Sequence, residues 1–301
     1  MTIPFLKLHV AGHDFILIDQ DNLVSERTDY KPAHREVAEL ILDRRCGVGG
    51  DGCIFMISEK KQPGLKPTLI GRLFASDGRE LPLSPDALLC IARLAMDTGR
   101  SNAGTLVIEN TISERTYELT AIDSRSFLLP LPYPAVQPLT LIVDGRSAWA
   151  YRISMQTSYL VAGAVPGGPG AKRVRQALLA MEKTNDIPLV LRQHTKDIIR
   201  YVGPERTDRM ESAVAAVLAA GFQGFVSDSG IPGLEGAIVA EWRGRGGAVS
   251  YASFPATPTT SQTSGPSTLI DRGRFWVNPD RNLGIQVVGK AEYVFDGNFD
   301  L

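Results

Sequence analysis

The chain has 301 residues, of which 44% are hydrophobic and 22% charged, with a formal net charge of −1. That is enough apolar material for one large core or two medium ones, and two is the better expectation; disorder of the whole chain is excluded. A nearly neutral chain without a basic block is a poor partner for nucleic acid or an anionic membrane.

The most apolar uninterrupted run, Ala213–Ala220, is far shorter than the roughly 20 residues that a spanning helix needs, so a soluble protein is expected. The opening Met1-Thr2-Ile3-Pro4 lacks the basic start and apolar stretch of a secretory signal, which predicts a cytoplasmic location. The three cysteines, Cys46, Cys53 and Cys90, all lie in the first third, too few and too odd in number for a disulfide scaffold. None of the four histidines, His9, His13, His34 and His194, is spaced with them as a zinc site would be, and no metal is expected.

In chain order, Phe5–Leu8 and Phe15–Asp19 flank the turn Gly12-His13-Asp14 and predict two strands. The apolar stripe Val37, Leu40, Ile41 and Leu42 predicts a helix from about Pro32 to Arg44, stopped by the glycine-rich run Gly47 to Gly52. Strands follow near Gly52–Ile57 and Leu69–Phe74. A second helix, Pro85 to about Thr98, has a clear start: Ser84 as cap, Pro85 at the first helical position and Asp86 in the first turn. It is apolar nearly all round, which predicts enclosure by other structure.

Short strand-like runs fill Thr105 to Val143, with Pro130–Pro134 as a crossing between halves. The second half then repeats the plan: a helix near Lys172–Lys183, strands at Leu189–Leu191 and Ile198–Val202, and an alanine-rich helix from about Asp208 to Ala220. The Thr/Ser/Pro-rich stretch Pro255–Ser267 reads as a mobile loop.

Two glycine motifs carry no chemistry. Gly47-Val48-Gly49-Gly50-Asp51-Gly52 fits G-x-G-x-x-G but follows a helix and precedes a strand, the reverse of a dinucleotide site. Gly167-Gly168-Pro169-Gly170-Ala171-Lys172 lacks the Gly-Lys-Ser/Thr of a phosphate loop, and no Gly-x-Ser-x-Gly elbow is present.

Three segments taken together, Lys7-Leu8-His9-Val10-Ala11-Gly12-His13-Asp14-Phe15, Arg44-Arg45-Cys46-Gly47-Val48-Gly49-Gly50-Asp51 and Arg72-Leu73-Phe74-Ala75-Ser76-Asp77-Gly78-Arg79-Glu80, resemble the diaminopimelate epimerase family in order and spacing. So do the closing Gly289–Glu292 and Phe295-Asp296-Gly297. The resemblance implies an α/β (α+β) fold of two pseudo-symmetric domains, each with strands wrapped around a central helix. It places the domains at 1–130, with a strand at about 288–301 returning to the first, and 131–287.

In that family two cysteines at helix N-termini face each other across a cleft, one removing an α-proton and the other returning one. Here the first falls on Ser84 and the second, in the best alignment, on Met210, and no cysteine follows Cys90 to supply a second thiol. Substrate-binding asparagines fall on His13 and Ala75, a motif histidine falls on Tyr159, and Asn185 retains one asparagine. The amino-acid clamp is not recognisable near Tyr201–Gly203, and Glu241 offers an alternative placement.

Pro85 removes an N–H from the helix start and Asp86 adds negative charge, which makes a poor carboxylate site. The candidate catalytic residues are therefore Ser84, Asp86 and Tyr159, with His13, Ala75, Leu89, Asn185 and Met210 against the substrate. Each also has a plain structural reading, as a cap, a turn residue or a core side chain. The expected activity is a cofactor-free isomerisation or cyclisation of a relatively apolar small molecule, as in natural-product metabolism. The analogy is the phenazine-pathway isomerase fold, which works without paired thiols. A catalytically silent binding or regulatory protein is the alternative, and a serine-based epimerase the weakest option. The expected partners are a small-molecule substrate and, as one option, a second copy in a homodimer.

Overall fold

A computed structural model describes residues 2–23, 33–59, 68–100, 104–163, 170–181, 186–194, 198–204, 207–223, 238–242, 274–280 and 284–301. Asn185 and the stretch Pro255–Ser267 lie outside the described residues, and of Glu241 only its place in a strand is described. The chain divides into two compact units, Met1–Leu129 with Gly289–Leu301, and Pro130–Val288.

The first unit runs β1 (Thr2–Val10), β2 (His13–Asp19), α1 (His34–Ile41), β3 (Gly52–Ser58), β4 (Thr68–Phe74), β5 (Glu80–Leu81), α2 (Pro85–Asp97), β6 (Thr105–Asn110), β7 (Arg115–Ala121) and β8 (Ser126–Leu131). The second runs β9 (Ala135–Val143), β10 (Arg146–Ser154), β11 (Ser158–Gly163), α3 (Ala171–Met181), β12 (Ile187–His194), β13 (Ile198–Val202), α4 (Arg209–Phe222), β14 (Ile238–Trp242), β15 (Arg274–Asp280) and β16 (Gly284–Lys290). The chain then returns to the first unit as β17 (Glu292–Asp300), antiparallel to β1.

Strand pairing is the same in both units. In the first, β17, β1 and β2 are successively antiparallel, β3 is parallel to β2, β4 antiparallel to β3, β6 parallel to β4, and β7 and β8 antiparallel again. The second repeats this sequence of directions from β9 through β16, pair for pair. Each parallel step needs a crossover, and the helices supply it at matching places: α1 and α3 before the first parallel partner, α2 and α4 before the second.

The two helices of a unit take different environments. In α1 an apolar stripe of Val37, Ala38 and Ile41 packs with Ile16, Ile18 and Phe55 on one sheet face, while its other side is exposed. By contrast α2 is buried without a break from Pro85 to Ala92, and α4 from Arg209 to Ala220. Such a helix needs a sheet curved around it, and α4 contacts every strand from β10 to β15. Strand β2 lies between two layers, so Phe15–Ile18 forms an unbroken apolar run with no polar alternation. No helix among the described residues is long and apolar enough to cross a membrane.

Candidate functional site

The first unit's candidate site is built on the tip of the β1–β2 hairpin and the start of α2. The hairpin closes between Val10 and His13 over Ala11 (φ 52°) and Gly12 (φ 87°), a two-residue turn with both dihedrals positive. His13 therefore begins β2 at a fixed position, with its ring edge-on to Phe15 at 4.6 Å. At the start of α2, Ser84 is the cap, its Oγ accepting from the Ala87 N–H at 3.3 Å. Asp86 is fully buried, and its Oδ2 lies 2.9 Å from Nδ1 of His13. The sequence singled out both residues separately, and the structure pairs them across 73 positions.

Behind the hairpin sits an ion cluster made of two of the segments that carry the family resemblance, Lys7–Phe15 and Arg44–Asp51. Lys7 Nζ lies 2.9 Å from Asp14 and donates to the Gly49 carbonyl at 2.6 Å, while Arg44 donates to both Asp14 and Asp51 at 2.9 Å. Gly49 takes φ +76°, and a Cβ on Gly47 would collide with the α1 carbonyl of Leu40, so these two glycines let the loop fold back under α1. This run is thus a structural clasp.

Burial alone would raise the Asp14 carboxyl, but its hydrogen bond with Asp51 and the Lys7 ammonium outweigh that and hold it at about 2. The folded value lies below the unfolded one, so the stabilisation is present above about pH 4 and is lost as pH falls toward 2; it is worth roughly 2 kcal/mol. Asp51 moves the other way, raised by burial and by Asp14, and offsets part of this. Urea midpoints measured from pH 7 to pH 3 are expected to fall on the acid side, and Asp14→Asn to flatten that fall. An unchanged slope in the variant would remove Asp14 from the account.

The second unit carries the matching features with different residues. Its first parallel ladder begins Tyr159↔Ile187 where the first unit's begins Phe15↔Gly52, which sets the correspondence. By that register Arg152 stands where Lys7 does and Asp186 where Asp51 does, and Arg152 binds Asp186 at 2.9 Å. At the start of α4 the cap is Asp208, whose Oδ1 accepts from the Glu211 N–H at 2.7 Å. The counterpart of Ser84 in the repeat is therefore Asp208, and Met210 matches Asp86.

Glu211, nearly fully buried, accepts from the backbone of Gln156 (3.2 Å) and Thr157 (3.3 Å) and from the Tyr159 hydroxyl (3.1 Å). In each unit, then, an acid in the first turn of the central helix holds the tip of the hairpin: Asp86 through His13, Glu211 through the β10–β11 turn. Sequence reasoning passed over Glu211 and Asp208. The signal was present as Asp-x-x-Glu directly before an apolar run, a variant of the capping box.

The remaining sequence candidates fall as follows. Ala75 is half-buried in the β4–β5 turn, where its N–H donates to the Arg79 carbonyl at 2.9 Å. Leu89, Tyr159 and Met210 have no exposed surface. Cys53 and Cys90 are buried, and burial pushes the Cys53 thiol well above its ordinary range, so it carries no thiolate.

No protein-family profile matches the chain. A diaminopimelate epimerase from Acetivibrio thermocellus is 28% identical over 142 residues, 46% of this chain and 47% of that protein. Another, from Methanothrix thermoacetophila, is 36% identical over 98 residues, 32% of each chain. The chain thus matches half or less of the length of these curated relatives.

Among solved structures, a phenazine biosynthesis protein of the PhzF family from Enterococcus faecalis superposes with a TM-score of 0.59 at 12% identity, covering 100% of both chains. Methylitaconate-delta-isomerase gives 0.55 at 11%, covering 99% of this chain and 95% of that one. A hydroxyproline epimerase from Agrobacterium vitis with bound trans-4-hydroxy-L-proline gives 0.56 at 12%, covering 99% and 92%. At such identities these likenesses establish the fold alone. The chain is similar in sequence, over half its length or less, to diaminopimelate epimerases, shares the fold of the phenazine biosynthesis protein along its whole length, and has no cysteine after Cys90.

Proposed function

We propose that the protein is a cofactor-independent isomerase that moves a proton within a small molecule less polar than an amino acid, and that it does not racemise amino acids. The observation that carries this is the make-up of the two central-helix starts. The thiol position of the first is Ser84, and a carboxylate, Asp86, sits in the turn where a substrate carboxylate would need donors. That of the second is Asp208 by the repeat or Met210 by alignment, and neither is a thiol. The similar folds of methylitaconate-delta-isomerase and of the phenazine biosynthesis protein support isomerase chemistry on this architecture by analogy. A role in natural-product metabolism, with isomerisation or ring closure of a flexible apolar substrate, extends the same reading.

The test is incubation in deuterated water with a panel of diaminopimelate, trans-4-hydroxy-L-proline and methylitaconate, followed by proton NMR. No α-deuterium is expected in either amino acid, whereas the unsaturated acid is expected to exchange or shift its double bond. Amino-acid exchange well above background, abolished by Ser84→Ala, would defeat the proposal. The alternative is a catalytically silent binding module, favoured in that the catalytic candidate Tyr159 is fully buried with its hydroxyl on Glu211. It gains if a ligand stabilises the protein yet stays unchanged.

A further inference from the structure

The geometry points to His13 as the proton-carrying group of the first unit, held in one tautomer by Asp86; this rests on the isomerase reading above. With Asp86 as a carboxylate, which can only accept, Nδ1 of His13 is the donor in the 2.9 Å pair. The neutral ring then keeps its lone pair on Nε2. Among the described residues the imidazole bonds only to Asp86, and Phe15 fixes the plane of the ring. Gly12, next to it at the hairpin tip, has open space where a side chain would point, and the His13 side chain itself is 12% exposed.

The two hydroxyl candidates are each hydrogen-bonded. The Ser84 oxygen accepts from the Ala87 N–H, and the Tyr159 proton is donated to Glu211. Among the described candidates His13 is the one nitrogen base, and its Nε2 makes no hydrogen bond to a described residue.

In the repeat of the second unit the places of His13 and Asp86 are taken by Thr157 and Met210, so that unit carries no imidazole there.

Nε2 takes a proton from a carbon next to a carbonyl or conjugated alkene, and the C–H electron pair enters the π system. The imidazolium, stabilised by the Asp86 carboxylate beside it, returns that proton to the far carbon of the delocalised anion. The product is an isomer of the substrate and the ring is neutral again. The substrate class is an unsaturated carbonyl compound with an allylic C–H bond. His13 is the catalytic residue and Asp86 a positioning residue.

Two measurements on the full chain test this. Proton–nitrogen correlation spectra of histidine-labelled protein at pH 8 are expected to show His13 protonated on Nδ1 and bare on Nε2, with that preference lost in Asp86→Asn. A proton on Nε2 of the wild type overturns the inference whatever the variants do. In the deuterated panel, His13→Gln is expected to slow conversion of methylitaconate by about 10²- to 10⁴-fold, the usual worth of a general base. Asp86→Asn should slow it less. Conversion undiminished in His13→Gln leaves the isomerase reading standing and sinks the His13 assignment, while wild-type protein inert to the whole panel defeats both.

Discussion

Glu211→Ala is expected to destabilise the second unit by about 3 to 5 kcal/mol, the usual cost of removing one member of a buried charged network. The carboxylate is 3% exposed and accepts from two backbone N–H groups and from the Tyr159 hydroxyl, itself fully buried. Truncation strands all three donors, each at about 1 to 3 kcal/mol when no water replaces the partner. Glu211→Gln keeps the shape but loses the charge and one acceptor, and should fall between. Tyr159→Phe deletes one hydrogen bond and should cost only about 0.5 to 1.5 kcal/mol. Urea unfolding of the single and double variants would give a coupling energy between Tyr159 and Glu211 of about 0.5 to 3 kcal/mol. A Glu211→Ala protein within 1 kcal/mol of wild type would show that this network does not hold the β10–β11 turn. The same series separates two roles for Tyr159: a structural hydroxyl moves stability, whereas a catalytic one moves turnover at unchanged stability.

Local chemistry made the helix starts readable. Ser84-Pro85-Asp86 announces a cap, a proline where its missing N–H does no harm and an acid at the positive end of the dipole, and α2 begins at Pro85. The near-continuous apolar text after it could only be an enclosed helix, as found. The return of the last strand was legible from Phe295-Asp296-Gly297, which β17 carries alongside Leu6, Lys7 and Phe5 of β1. What the sequence could not supply was partnership across distance. His13 and Asp86 are 73 positions apart, and Tyr159 and Glu211 are 52 apart, so no spacing rule links them. The motifs that gave the resemblance, Lys7 to Phe15 and Arg44 to Asp51, prove to be held together by a Lys7–Asp14–Arg44–Asp51 clasp. Resemblance there reports a way of folding, and it could not report a substrate. Alignment puts the second thiol position at Met210, whereas matching the caps of α2 and α4 puts it at Asp208. A two-residue offset of this kind decides whether a thiol position maps onto an acid or onto a thioether.

That offset makes Met210 the most informative single position in the second unit. Its side chain has no exposed surface and sits in the first turn of a helix buried on all sides. As core filler it predicts a graded series: Met210→Leu should cost less than about 1.5 kcal/mol, and Met210→Ala about 2 to 5 kcal/mol through the cavity left behind. Met210→Glu tests the opposite idea, that the side chain faces a site open to water. The helix N-terminus would favour an added carboxylate by only about 0.3 to 1 kcal/mol, up to about 2 in a partly buried setting. Taking that carboxylate out of water costs several kcal/mol, and the neighbouring Glu211 carries the same sign. Desolvation therefore wins, and Met210→Glu should lose about 4 kcal/mol or more, seen as an early urea transition or insoluble protein. If instead Met210→Glu folds within about 1 kcal/mol of wild type, water or a ligand reaches the position, and Met210 returns from the core to the substrate site.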